Sequence, residues 1–164
     1  MTRVDLAVFP GSFDPLTNGH VDIIQRGLKI FDSVTIAVLS NLDKKTLFSV
    51  GEREQMIKEV FASYGNRITV KSFSGLLVDF ARHENIKIIV RGLRAISDFE
   101  YETQIALMNR NLGDVETCFL VASEENSFIS SSLVKQVAQL KGDISRFVPK
   151  AVEEAFERKF GFAR

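Results

Sequence analysis

The sequence has few of the features that mark secreted, membrane or nucleic-acid-binding proteins. Its single cysteine, Cys118, excludes an internal disulfide and is typical of a reducing compartment, so we expect a cytoplasmic protein. No apolar run approaches the ~18 residues that a membrane span needs, and the amino terminus has no signal-peptide pattern. Basic and acidic residues number 21 each, and this net charge of zero gives no indication of a nucleic-acid or membrane partner.

Short apolar runs alternate with longer segments of helical period along all 164 residues, which predicts a single domain. Helical spacing of Tyr101, Ile105, Met108 and Leu112 places one helix across about 95–112. Alternation of strand and helix predicts an α/β fold: a Rossmann-like, doubly wound sheet of about five parallel strands with helices on both faces. Ligands of such sheets bind beyond the carboxyl ends of the strands. The expected strands are 4–9, 34–39, 68–73, 86–90 and 118–122.

Proline and histidine are scarce, yet two of the three prolines and one of the two histidines fall in PGSFDPLTNGH, residues 10–20. Prolines fix φ and Gly11 permits close backbone approach, so the segment predicts a rigid turn after the first strand. His20 then stands at a helix amino terminus, where N–H groups and the helix dipole favour phosphate. The alternative is an ordinary turn capped by Thr17 or Asn18, with His20 facing solvent.

Two arginines, Arg91 and Arg94, flank Gly92 at the end of the fourth predicted strand. Guanidinium groups in this position can bind separate phosphates with paired hydrogen bonds. Asp98 and Glu102 follow four residues apart on one helix face, where they could pair with these arginines or hold a ribose hydroxyl. Ordinary surface ion pairs are the alternative.

Three consecutive serines, 130–132, precede the apolar face of a later helix. One serine suffices as a cap, so the others could bind a second anion or have no role. Lys44 and Lys45 follow the second strand and are the least specific feature. Because these features share the same predicted edge of the sheet, together they indicate a site for a nucleotide and a second phosphorylated partner.

The three motifs resemble those of phosphopantetheine adenylyltransferases, a family of the nucleotidyltransferase superfamily with its T-x-G-H signature. The matching stretches read FPGSFDPLTNGH, RGLRAISDFEYETQ and SFISSSLVKQ. The resemblance implies that ATP and 4′-phosphopantetheine give dephospho-coenzyme A and pyrophosphate, with Mg²⁺ and without a covalent enzyme intermediate. It also implies a homohexamer and feedback inhibition by coenzyme A. No strong metal-ligand cluster is visible, so we expect Mg²⁺ to arrive with ATP.

The same resemblance assigns roles to individual residues. It implies that His20 stabilises the transition state at the α-phosphate and that Ser12 hydrogen-bonds to the phosphate between the two substrates. For 4′-phosphopantetheine it implies Lys44 and Arg91 at the phosphate and Leu77 along the pantetheine arm. For ATP it implies Ser12, Phe13, His20, Gly92, Leu93, Arg94, Glu102, Asn126, Ser127, Phe128, Ile129, Ser130, Ser131 and Ser132.

Three questions stay open at the level of sequence. Asn126 stands where the family often has Tyr or Trp, which puts its nucleotide contact in question. Another nucleotidyltransferase, such as a nicotinamide mononucleotide adenylyltransferase or a glycerol-3-phosphate cytidylyltransferase, shares T-x-G-H, although RGLR…DFEYE argues against both. A nucleotide-binding sensor without turnover would need no second phosphate site, which His20, Lys44 and Arg91 disfavour.

Overall fold

The computed structural model describes residues 6–40 and 45–161, except for the side chains at 96 and 97. Strands of the described chain are β1 (Leu6–Gly11), β2 (Ser33–Leu39), β3 (Ile68–Phe73), β4 (Ile88–Leu93) and β5 (Glu116–Val121). Its α-helices are α1 (Asn18–Gly27), α2 (Val50–Val60), α3 (Leu77–His83), α4 (Ile96–Gly113), α5 (Ser131–Gln139) and α6 (Lys150–Phe160).

All strand pairs are parallel, and the order across the sheet is β3-β2-β1-β4-β5. This arrangement confirms the predicted Rossmann-like sheet. The chain moves outward from β1 to β3 and then returns to the other side of β1 with β4. The neighbouring strands β1 and β4 therefore form the switch point of the topology, where such sheets bind ligands.

Both faces of the sheet are covered, as the sequence predicts. In β1, Ala7 and Phe9 pack into a core formed with α1, α2, α5 and α6. The intervening Val8 points to the other face, where it packs with Val78 and Ala81 of α3. This alternation follows from the two-residue period of a strand, and it explains why β1 is apolar at successive positions.

The strands β1 and β4 separate at their carboxyl ends. They pair at only two positions, Ala7 with Ile88 and Val8 with Ile89. Pro10, further along β1, has no N–H to donate to a neighbouring strand, and its carbonyl oxygen instead accepts a hydrogen bond of 2.9 Å from Nη1 of Arg91. The resulting gap opens the sheet at its switch point.

Several strands extend further than the sequence indicates. The predicted strand 4–9 continues to Gly11 and the predicted strand 86–90, which begins at Ile88, continues to Leu93; residues 4 and 5 lie outside the described part of the chain. The reason is pairing on the outer side of each strand, which continues to Gly11 in β1 and to Leu93 in β4. Arg91 and Gly92 therefore belong to the sheet and do not lie in the loop after it.

The helix predicted across 95–112 is confirmed as α4, but three of the four residues in its apolar stripe are exposed, and only Ile105 is half-buried. Tyr101, Met108 and Leu112 are 65%, 61% and 51% exposed. Among the described side chains of this helix, only that of Glu102 is buried. A helix with apolar residues that find no core within the chain commonly packs on another molecule.

In the described ranges, we find no helix with the length and apolarity that crossing a membrane requires.

Candidate active site

A cleft of about 680 Å³ opens where β1 and β4 separate. Its walls come from the turn after β1, from α1 and from the segments that follow β4 and β5. Most of the site residues that the sequence predicts line this cleft: Ser12, His20, Arg91, Gly92, Arg94, Glu102, Asn126, Ile129, Ser130, Ser131 and Ser132.

A smaller and mainly apolar cavity of about 210 Å³ adjoins the cleft. Leu77 lines it, together with Leu39 and Phe73. Arg91 and Glu102 line both spaces, so they stand at the junction. A polar cleft and an apolar cavity that meet at a guanidinium suit a substrate with a phosphate and an uncharged arm.

Four other predicted residues are described by the structure but do not line the cleft: Phe13, Leu93, Ser127 and Phe128. The Phe13 side chain is buried below it, and Leu93 ends β4. Ser127 donates a hydrogen bond to the carbonyl oxygen of Glu124, and Phe128 packs edge-on against Phe147. Lys44 lies outside the described residues.

Thr17 and His20 form a capping box at the start of α1. The Thr17 hydroxyl accepts from the backbone N–H of His20, and Nδ1 of His20 accepts from the backbone N–H of Thr17 at 3.0 Å. Glu or Gln ordinarily has the second role. Because Nδ1 accepts this hydrogen bond through its lone pair, the neutral imidazole carries its proton on Nε2. Of the two sequence alternatives for the cap, Thr17 is therefore the residue used.

The His20 imidazole is held in its neutral form. Its ring is half-buried and packs edge-on against Phe13, with 5.1 Å between ring centroids. Burial, followed by the positive charges of Arg94 and Arg91, lowers the pKa of His20 to about 4. At neutral pH His20 is thus a hydrogen-bond donor through Nε2–H, suited to a phosphate oxygen.

Arg91 and Glu102 form a paired ion contact in the wall between the two cavities. Nε and Nη2 of Arg91 donate to the two carboxylate oxygens of Glu102 at 2.8 and 2.6 Å. Glu102 is 8% exposed, so this pair is shielded from water. The sequence left open whether Glu102 pairs with an arginine or holds a ribose hydroxyl, and in this structure it pairs with Arg91. Each terminal nitrogen of Arg91 still has a second N–H, which can reach a phosphate.

Arg94 connects the start of α4 to the segment before α5. Its Nη1 donates to the carbonyl oxygen of Ile129 at 3.3 Å, and its Nε lies 3.5 Å from Oδ2 of Asp98. Each acid of the motif therefore pairs with a different arginine: Asp98 pairs with Arg94, and Glu102 pairs with Arg91.

Two of the three serines before α5 have structural bonds. Ser130 caps the helix by accepting from the N–H of Leu133. Ser131 donates to the carbonyl oxygen of Pro15 at 2.8 Å, which joins α5 to the turn after β1. The helix start still faces the cleft, so its amino terminus is available to an anion.

Three charged residues that sequence reasoning missed support the turn after β1. Asp14 is 3% exposed and accepts from Lys135 Nζ at 2.8 Å. Burial raises the pKa of Asp14, but hydrogen bonds from Lys135 and from two backbone N–H groups outweigh burial and lower it. Arg53 is 2% exposed. The sequence could have indicated its burial, because Arg53 lies three and four residues before the apolar Met56 and Ile57 and therefore shares their face of the helix.

The described residues do not form a metal site of their own. They contain no group of three or more His, Cys, Asp or Glu that could hold a metal ion. Asp98 and Glu102, the carboxylates that line the cleft, both pair with arginines. Such paired acids do not fit a direct Mg²⁺ ligand set, which requires uncommitted oxygen atoms.

Sequence comparison assigns this fold and cleft to the nucleotidyltransferases. A sequence model of the family described as cytidylyltransferase-like matches residues 8–137. The structure resembles that of a bifunctional NMN adenylyltransferase/ADP ribose pyrophosphatase from Francisella tularensis, with a TM-score of 0.74 and 15% identity. This likeness covers 97% of the chain and 49% of that protein, and it supports the fold alone.

Relatives of high sequence identity show which family of nucleotidyltransferases the chain belongs to. A phosphopantetheine adenylyltransferase from Alkaliphilus metalliredigens is 52% identical, over 94% of this chain and 98% of that protein. Another, from Clostridium perfringens, is 51% identical over 97% of both chains. The chain therefore belongs to the phosphopantetheine adenylyltransferase family, which confirms the resemblance drawn from its three motifs.

Proposed function

We propose that this chain transfers the adenylyl group of ATP to 4′-phosphopantetheine, giving dephospho-coenzyme A and pyrophosphate. The observation that carries the proposal is the junction of a polar cleft and an apolar cavity at Arg91. The polar cleft suits the phosphates of a nucleotide, and the apolar cavity beside Leu77 suits the pantetheine arm. Membership of the family supports both substrates.

The reaction needs no nucleophile from the protein. An oxygen of the acceptor phosphate attacks the α-phosphorus of ATP, a new P–O bond forms, and the bond to the departing pyrophosphate breaks in line. His20 donates from Nε2–H to an α-phosphate oxygen and stabilises the charge of the transition state. Arg94 and the amino terminus of α5 neutralise pyrophosphate as it leaves.

We assign the acceptor phosphate to Lys44 and Arg91, and the contact between both substrates to Ser12. The remaining nucleotide contacts are those implied by the family motifs: Phe13, Gly92, Leu93, Glu102 and residues 126–132. Since the paired carboxylates do not fit Mg²⁺, the ion would be held by ATP phosphates and water, and no step here depends on it.

A coupled pyrophosphate assay tests the proposal. With ATP, Mg²⁺ and 4′-phosphopantetheine we expect pyrophosphate release, and nicotinamide mononucleotide should not replace the acceptor. His20→Gln, which keeps a capping residue at the same position, should lower kcat by about 100-fold or more while ATP affinity changes little. Measurable ATP binding without pyrophosphate from the wild-type protein would favour the sensor alternative.

The proposed assembly is a homohexamer. The number of subunits comes from the family resemblance, and the exposed apolar stripe of α4 supports association between copies. Light scattering should give a mass well above one chain, and Met108→Lys should reduce it. Leu140→Lys is the matched control, because Leu140 is 84% exposed at the end of α5, outside the stripe. A monomeric wild-type protein would contradict the proposal.

Feedback by coenzyme A and a cytoplasmic location complete the proposal. Coenzyme A contains the same pantetheine arm, so it should raise the KM for 4′-phosphopantetheine by competing for the cavity at Leu77. An unchanged KM in its presence would contradict this role. The single cysteine supports a reducing compartment, which cell fractionation can test.

A further inference from the structure

Arg53 on α2 is a fully buried charged residue that the proposed reaction does not use. It is 2% exposed and is the largest of the fully buried side chains. A buried guanidinium is strongly unfavourable unless hydrogen bonds satisfy it. The groups that accept those bonds therefore indicate what the residue does.

The guanidinium joins the ends of two strands to the start of a helix. Nη1 donates to the carbonyl oxygens of Ser12, after β1, and Leu39, at the end of β2, at 2.5 and 3.1 Å. Nε donates to the carbonyl oxygens of Phe48 and Ser49, just before α2, at 3.1 and 3.3 Å. One rigid planar group thus fixes the Ser12 backbone relative to two other elements.

Asp14 is a second anchor of the same turn. Its carboxylate accepts from the backbone N–H groups of Leu47 and Phe48, both at 2.9 Å, and from Lys135 of α5. The turn is therefore attached to the start of α2 on one side and to α5 on the other. Ser12, two residues earlier, is itself exposed in the cleft, so its position depends on these attachments.

We propose that Arg53 is a positioning residue for adenylyl transfer, which, with Asp14 as a second anchor, holds the turn at 12–14 so that Ser12 meets the phosphate between the substrates. The inference rests on the proposed function, in which Ser12 makes that contact. A displacement of about 1 Å at a reacting centre can lower a rate by about 100-fold. Arg53 touches no substrate and acts through Ser12.

A double-mutant cycle tests this mode of action. Arg53→Lys keeps the charge but cannot span the four carbonyl oxygens, and it should lower kcat by about 10- to 100-fold. In a Ser12→Ala background the same substitution should lower kcat by less than about threefold, because the group being positioned is gone. Calorimetric ATP stoichiometry corrects kcat for any loss of folded protein.

Arg67 provides the matched control. It also donates to backbone carbonyl oxygens, those of Leu28, Phe31 and Asp32, but before β2 and β3 at the opposite end of the sheet. Arg67→Lys should change kcat by less than about twofold and show no coupling to Ser12→Ala.

Asp14→Asn provides a second cycle should Arg53→Lys not fold. This substitution keeps one carbonyl acceptor for two backbone N–H groups and removes the charge beside Lys135. Its effect on kcat should likewise be smaller in the Ser12→Ala background than in the wild type. Equal effects in both Ser12 backgrounds, in an active wild-type enzyme, would overturn the inference alone. Absence of pyrophosphate release by the wild-type enzyme would overturn the proposed function, and this inference with it.

Discussion

Acid should destabilise the folded protein through His20, because folding lowers the pKa of this residue. The pKa is 6.5 in the unfolded chain and about 4 in the folded one. At a pH between these two pKa values, His20 is protonated in the unfolded chain but not in the folded one. The free energy of unfolding therefore falls as the pH decreases from about 6.5 to about 4. With about 1.4 kcal/mol for each pKa unit, moving from about pH 7 to about pH 5 should lower the free energy of unfolding by about 2 kcal/mol.

Urea unfolding of the wild type and of His20→Gln at both pH values measures this loss. Asp14, Glu52 and Glu84 also have lowered pKa values and add an acid-dependent loss to both proteins. Only the difference between the two proteins therefore belongs to His20. Glutamine keeps the capping role without titrating, so its variant should lose about 2 kcal/mol less than the wild type.

Direct titration by NMR gives an independent reading, because the chain has only two histidines and His20→Gln identifies the signal. We expect the His20 ring to titrate near 4, and kcat to show no inflection from it between about pH 6 and pH 8. A midpoint near 6.5, or equal acid sensitivity of both proteins, would show that the ring is not held neutral.

Three further predictions concern stability measured by urea unfolding. Ser49→Ala removes the cap of α2 and should cost about 1 kcal/mol; no change would mean that the cap is not formed. Gly113→Ala should cost about 1–3 kcal/mol, since the added carbon would lie 2.5 Å from Cβ of Val78; a more stable variant would contradict that packing. Glu102→Gln should cost about 2 kcal/mol by leaving Arg91 without its carboxylate, whereas a neutral effect would indicate that the pair is not shielded.

Much of the fold could be predicted because local pattern determines it. Alternation of strands and helices predicted the five parallel strands. The capping box of Ser49 and Glu52 at the start of α2 likewise depends only on residues three apart in the sequence. Strand ends were less predictable, because they depend on pairing with neighbours that lie far away in sequence. The extension of β4 to Leu93, for example, follows from its register with β5.

The site was predictable in location but not in its internal pairing. Helical spacing places Asp98 and Glu102 on one face of α4, but only the rotation of the helix against the sheet decides which acid meets which arginine. Arg53 was missed because arginine is usually exposed, and because the carbonyl oxygens that accept its hydrogen bonds lie on segments that only the fold brings together. Substrate contacts at Lys44, Leu77 and the other assigned residues stay predictions, as does the single-domain organisation.

His20 combines two roles at one position: it is a partner in the capping box of α1, and it is the proposed hydrogen-bond donor to the α-phosphate. A helix start of this type would be served as well or better by glutamate, the ordinary partner of a threonine cap. His20→Glu should therefore fold, whereas in the proposed reaction a carboxylate at this position would repel the phosphates of ATP. We therefore expect His20→Glu to be folded but inactive, which would separate the role of this residue at the start of the helix from the role proposed for it in the reaction.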